Sequence, residues 1–242
     1  MQPPGPDGGE GECDTTLDDE ERNLIPILMS DYYKSFKQIV EQNGFAYECH
    51  SVLTPDGYIL NMFRIQQRKL LNIRKKPAVF LQHGFLSSAD TWILNSKDVA
   101  PAFQLAREGF DVWLGNSRGS KYGRTHGTLD PDNEVDKQNF WKFSFIEMGE
   151  FDAPTQIDYV REYTSQDKIT YIGHSQGTTI MFYALATKPE FWAKRLNMFI
   201  SLAPVVNIDF SDSPKMKAMT LASNLLDKGL KKYGVQELFG KG

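Results

Sequence analysis

The stretch Ile169-Thr170-Tyr171-Ile172-Gly173-His174-Ser175-Gln176-Gly177-Thr178-Thr179 decides the fold. Its first four residues are β-branched or aromatic, the make-up of a short buried strand. From Ile180 to Ala186 the chain changes to an apolar, helix-forming run. Strand, sharp turn and helix therefore meet at Ser175, with one glycine two residues before it and another two after. So tight a turn forces its apex into a strained backbone region, and a Cβ on either flank would strike the neighbouring strand or helix. Oγ of Ser175 would then stand clear above the sheet edge. The helix N-terminus beneath it offers free N–H groups and a positive dipole end to a developing oxyanion. A Gly-rich turn with a surface serine would share the pentapeptide. The strand before and the helix after favour a nucleophile.

Working outward, Pro77–Gln82 and Phe110–Leu114 read as further short buried strands, and Met198–Leu202 as a last one. Between them, Val99–Glu108 and Phe145–Tyr163 carry apolar residues at helical spacing. Buried strands alternating with helices imply right-handed βαβ crossovers and a parallel sheet, an α/β fold. In such sheets the active face lies outside the carboxyl ends of the strands. The loops beginning at His83, Gly115, Gly173 and Ala203 should open on that face.

Upstream, Leu24–Gly44 reads as a helix capped at Ser30-Asp31. Tyr47–Leu53 and Tyr58–Ile65 read as a β-hairpin around the turn Thr54-Pro55-Asp56-Gly57. Lys69–Lys76 reads as a basic loop. Residues 1–23 are rich in Pro, Gly and acid and are expected to be disordered. The 242 residues carry a net charge of −4; eight acids and no Lys or Arg fall within residues 1–21, leaving +4 for the rest. A mildly basic body lacks the dense basic stripe of a nucleic-acid binder. Two cysteines, Cys13 and Cys49, give neither a disulfide framework nor metal spacing, and no cofactor motif stands out. The N-terminus shows no basic and apolar signal pattern, no apolar run approaches the ~20 residues of a spanning helix, and no compartment is assigned.

A serine hydroxyl needs a base to take its proton. The chain has four histidines, His50, His83, His126 and His174, and none follows Ser175. His174 should point away from Oγ as a packed or hydrogen-bonded structural imidazole. His83 ends a strand, where it braces the oxyanion turn. His126 reads as solvated in a polar loop on the active side, and His50 as remote in the hairpin. The oxyanion donors would be the backbone N–H groups of Gln176 and Phe85.

From about Asp31 onward the chain resembles the acid lipase family of α/β-hydrolases, the gastric, lysosomal acid and steryl-ester lipases. The resemblance rests on Leu81–Asn95 (LQHGFLSSADTWILN), Asp111–Tyr122 (DVWLGNSRGSKY), Phe140–Tyr159 (FWKFSFIEMGEFDAPTQIDY), Tyr171–Thr179 and Ser201–Val205 (SLAPV). It implies an α/β-hydrolase core at 24–205 and the start of a helical cap at 206–242. It also implies hydrolysis of a water-insoluble ester, a triacylglycerol or steryl ester, through an acyl-serine intermediate on Ser175, with Gln176 and Phe85 as oxyanion donors. The family's Asp and His carry over to no position here. The resemblance therefore implies that the last two strands and the acid/base pair are missing, and that the chain alone is inactive. A protein partner completing the fold, a split-gene product and a non-catalytic lipid- or protein-binding module of the same fold are the competing readings. Within 206–242, Met216, Met219, Leu221, Leu225, Leu226 and Leu230 with Lys215, Lys217, Lys228, Lys231 and Lys232 make a basic amphipathic helix. It suits an anionic lipid surface or, equally, core packing with snorkelling lysines.

Overall fold

The computed structural model describes residues 34–70 and 76–206. The expected acidic tail, the cap opening and its basic helix lie outside them. Helix α1 (Phe36–Gln42) is capped by Ser35, not by Ser30-Asp31: Ser35 Oγ accepts the Gln38 N–H at 3.3 Å while Gln38 Oε1 accepts the Ser35 N–H at 3.0 Å. Strands β1 (Phe45–Leu53) and β2 (Tyr58–Gln67) form the expected antiparallel hairpin. At its turn Gly57 has φ +100° and donates to the Thr54 carbonyl. Cys49 in β1 is disulfide-bonded, against the expectation from so few cysteines; its partner lies outside the described residues.

Then follow β3 (Ala78–Gln82), α2 (Pro101–Arg107), β4 (Asp111–Gly115), the short β5 (Thr125–His126) and α3 (Lys137–Phe140). Every residue of β3 and β4 is buried, as suits central strands covered on both faces. The segment read as one helix over Phe145–Tyr163 is three pieces: α4 (Phe145–Glu147), a π-helical turn at Met148–Asp152, and α5 (Ala153–Thr164). Pro154 has no N–H to give a preceding carbonyl, so a regular ladder breaks there, and the wider turn absorbs the break. Strand β6 (Ile169–His174), α6 (Gln176–Thr187), a helix not read from sequence, α7 (Pro189–Ala193), and β7 (Leu196–Leu202) complete the described chain.

The strands lie in the order β1-β2-β4-β3-β6-β7, with β5 against β2. Strands β3, β4, β6 and β7 are parallel. Register sets Gln82 beside Gly115 and Gly173, and His174 beside Leu202, so the four following loops leave from one end of the sheet. From β3 the chain runs toward β4, and from β6 toward β7 on the opposite side. A crevice belongs at such a divide, and Ser175 sits at it. Side chains alternate between two cores. Phe63, Leu81, Val112 and Leu114 pack under α1 and α2, while Phe80, Trp113 and Tyr171 pack under α5, which contributes Ile157, and α6. Among the described residues β7 pairs only with β6, and its Met198 and Leu202 are exposed.

Candidate active site

Ser175 has φ +51° and ψ −117°, the strained apex that the glycine spacing predicts. Both flanking glycines are sterically required. An alanine at 173 would bring its Cβ to 2.7 Å from the Gly177 carbonyl, and one at 177 to 2.6 Å from the Gln82 carbonyl of β3. The apex is held through its backbone. Ser175 N–H donates to the Leu202 carbonyl at 3.0 Å, and its own carbonyl accepts from Thr178 N–H at 2.8 Å and Thr178 Oγ1 at 2.6 Å. Tyr171, buried behind the elbow, donates its hydroxyl to the Gly177 carbonyl at 2.9 Å.

The turn after β3 lies directly against the apex. A Cβ on Gly84 would be 3.0 Å from Ser175 Cβ, so this close approach admits glycine. His83 fixes the turn from below. Its Nε2 accepts the Ser117 N–H at 3.1 Å, so Nδ1 carries the proton and donates to the Gly84 carbonyl at 2.8 Å. Burial lowers its pKa to about 4, against the weaker pull of Gly84 and Asp90, so the ring is neutral at pH 7. Bracing, not base catalysis, is what this geometry provides. Beyond it Leu86 takes φ +52°, and Phe85 and Leu86 expose their side chains beside the site. Among the described residues the N–H groups of Phe85 and Gln176 have no protein acceptor.

The other histidines divide differently from expectation. His174 is exposed rather than packed, its ring edge-on to Trp92 with centroids 6.5 Å apart. It shares a face of β6 with buried Ile172, but as the strand's last residue it stands beyond the cover of that core. His126 is held rather than solvated. Its Nδ1 accepts from Thr128 and Leu129 N–H groups at 3.1 Å, which leaves Nε2–H to donate to the Asp56 carbonyl at 2.9 Å. Nothing local marks this role, because the ring reaches back across the β2–β5 pairing. His50 is buried in β1 between the Tyr159 hydroxyl and Glu48. Ser175, Gly84, Phe85 and Gln176 thus come together, and no imidazole among the described residues hydrogen-bonds Ser175. No group of three His, Cys, Asp or Glu among those residues is placed to hold a metal ion.

Residues 77–228 match the family model of the alpha/beta hydrolase fold, and residues 36–96 that of a partial alpha/beta-hydrolase lipase region. Over 191 residues the chain is 44% identical to the lysosomal acid lipase/cholesteryl ester hydrolase of Macaca fascicularis, covering 78% of this chain and 47% of that protein. It is 43% identical over 191 residues to the gastric triacylglycerol lipase of Mus musculus, with the same two shares. The chain belongs to the acid lipase family of α/β-hydrolases. It spans about half the length of these curated relatives. Among solved structures, a lipase-titled protein from Sulfolobus solfataricus superposes with a TM-score of 0.51 at 15% identity, over 74% of this chain and 52% of that one, a likeness of fold.

One feature of this acid lipase family member escaped the sequence reading. Arg118, in the loop after β4, is buried, and its guanidinium forks onto Asp56 of the hairpin turn at 2.5 and 2.9 Å. It also reaches Asp152 of the π-helical turn at 2.8 Å, while its N–H donates to the same carboxylate at 2.9 Å. Complete burial pushes Asp152 up to about 6 against the pull of Arg118. Three segments far apart in sequence are thereby tied at one corner of the active end. The only signal for it was an arginine inside the Gly115–Gly119 motif. A cavity of about 290 Å³ between the π-helical turn, α5 and α7, lined by Phe151, Pro154, Phe191 and Trp192, shares no residue with the elbow.

Proposed function

We propose that this chain carries the nucleophile half of a serine carboxylic ester hydrolase acting on water-insoluble esters, triacylglycerols or steryl esters. One observation supports this most: a strained serine over a helix N-terminus, packed against a turn whose free N–H group faces no protein acceptor. Ser175 Oγ would attack the ester carbonyl and form an acyl-serine. The Gln176 and Phe85 N–H groups would receive the negative charge moving onto the carbonyl oxygen. Two relatives carry the substrate classes in their names, triacylglycerol and cholesteryl ester. The exposed Phe85 and Leu86 give the site an apolar border suited to such esters. A cap at 206–242, an anionic lipid surface for its basic helix, and a protein partner against β7 belong to the same proposal.

Three of the four histidines support a second clause: the 242-residue chain alone turns over ester negligibly. His83, His126 and His50 spend both ring nitrogens elsewhere. The same commitment favours, as the second reading, a non-catalytic module that holds a lipid or protein. Hydrolysis of a p-nitrophenyl short-chain ester and phosphonylation by a fluorophosphonate, both against Ser175→Ala, test this. We expect slow phosphonylation at Ser175 alone and turnover near the roughly 10³–10⁴-fold that binding and an oxyanion hole retain over water. Turnover comparable to ordinary lipases, abolished by Ser175→Ala, would show that one of these histidines is recruited. No phosphonylation at Ser175 would leave the binding module.

A further inference from the structure

Ser175 and Ala203 are non-glycine residues with positive φ, +51° and +49°, at the ends of the neighbouring strands β6 and β7. Such backbone persists only where its surroundings over-determine it. Here the surroundings are two threonine hydroxyls from the first turn of α6. Thr178 Oγ1 donates to the Ser175 carbonyl at 2.6 Å and accepts the Val205 N–H at 3.0 Å. Thr179 Oγ1 donates to the Val205 carbonyl at 2.7 Å. Both backbone groups of Val205 are thus held by adjacent side chains of the nucleophile's own helix. Thr178 is fully buried, so no water can readily take over its hydroxyl's two bonds.

The carbonyl that Thr178 grips shares one planar trans peptide unit with the Gln176 N–H, and the two point in opposite directions. Fixing the carbonyl therefore aims the N–H. From Val205 N–H through the Thr178 hydroxyl to the Ser175 carbonyl, each hydrogen bond also polarises the next. The far end of that relay is the Gln176 N–H, made a better donor as well as a better-aimed one. A helix needs no hydroxyl at these positions for its own ladder, and valine would fill nearly the same volume as threonine.

We propose that Thr178 is a positioning residue that aims the Gln176 N–H into the oxyanion position, and that Thr179 locks Thr178's donor, the Val205 amide, in place. This rests on the ester-hydrolase reading of Ser175. It makes the oxyanion donor depend on the path of the chain at Ala203–Val206: a displacement there is transmitted through two hydrogen bonds to the Ser175–Gln176 peptide.

Three variants of the full chain test it: Thr178→Val, Thr178→Ser and Thr179→Val. The rate of Ser175 phosphonylation by a fluorophosphonate should fall about tenfold in Thr178→Val, the size of one hydrogen bond. It should return toward the parent rate in Thr178→Ser, which a purely steric role of the threonine would not predict. Thr179→Val should fall less. In the NMR spectrum the Gln176 amide should shift and exchange faster in Thr178→Val, and revert in Thr178→Ser. Parent-like phosphonylation in Thr178→Val, or no rescue by serine, overturns the proposal. If the parent itself is not phosphonylated, the ester-hydrolase reading falls. The Gln176 amide then decides alone, and an unchanged signal in Thr178→Val overturns the positioning role. Should Thr178→Val fail to fold, an unaltered Gln176 amide and rate in Thr179→Val does so.

Discussion

In the turn after β3, His83 is buried among backbone groups; in β1, His50 is buried to the same 3% exposure among side chains. The turn around His83 is neutral. Its partners are the Gly84 carbonyl and the Ser117 N–H, so the imidazole fixes two loops by direction alone. The hairpin around His50 is ionic. Glu48 accepts from His50 and from Arg64 at 2.9 Å, and Arg64 forks onto both oxygens of buried Asp111 at 2.7 Å. In the turn against the nucleophile the polar side chain holds backbone. Away from it, charges hold one another. A neutral brace should fail gently and locally, and an ionic mesh abruptly and globally.

The largest effect should therefore come from breaking the mesh. Arg64→Met leaves the Asp111 carboxylate buried with the Gln66 amide as its remaining side-chain donor. Removing one member of a buried pair costs about 3–5 kcal/mol. Urea unfolding should show that loss, and Arg64→Met combined with Asp111→Leu should recover most of it. A loss below ~1 kcal/mol in the single variant would show that the mesh is solvated rather than buried.

Next in size is the elbow. Gly177→Ala forces a Cβ to 2.6 Å from a β3 carbonyl, so strand and helix must part, at about 1–3 kcal/mol. Ser175 phosphonylation should be lost with it. Gly127→Ala is the control: its Cβ would meet only the Gly57 carbonyl at 3.7 Å, and stability should stay within ~0.5 kcal/mol. Equal losses in the two variants would show that the elbow is no tighter than a surface turn.

What the sequence made legible follows from range. The roles of Gly173 and Gly177 could be read because a strand–turn–helix junction is closed by residues within a few positions of each other. The buried strands could be read because continuous apolar runs leave few alternatives. His83 could be placed because a strand end puts it beside its own turn. His126, read as solvated, was not, because its partner Asp56 lies 70 residues away. The Arg118 corner joins segments 34 and 62 residues distant, and nothing local marks Asp152 as its partner. The break at the π-helical turn was visible in Pro154, but the amphipathic spacing on either side concealed it. His174 was misplaced for a local reason: it shares its face with buried Ile172, but as the final residue of β6 it stands beyond the cover of that core.

The smallest effect, per pH unit, separates the two regions most cleanly. Burial lowers His83 to about 4, so between the ordinary histidine value of 6.5 and about 4 the unfolded chain takes up a proton that the native turn refuses. Stability from His83 is whole above 6.5 and lost as pH falls through that window. Glu48 is also partly buried, which raises its carboxyl, but hydrogen bonds from His50 and Arg64 and the Arg64 charge outweigh this and hold it at about 2. Its contribution is whole above the ordinary 4.5 and lost only as pH falls from there toward 2. Each proton contributes no more than ~1.4 kcal/mol per pH unit. Asp152, raised to about 6 by burial, takes up its proton natively between 6 and its ordinary 3.8 and works the other way. Urea midpoints between pH 7 and pH 3 should thus fall in two steps, of which the upper is partly offset by Asp152. His83→Asn should flatten the upper step and leave the lower, and Glu48→Gln the reverse. Below about pH 4 a protonated Nε2 would confront the Ser117 N–H donor to donor, so exchange of the Gly84 and Phe85 amides should quicken before the hairpin amides do. Simultaneous loosening of the two regions would mean that turn and hairpin are one cooperative unit, and the contrast between neutral brace and ionic mesh would not survive it.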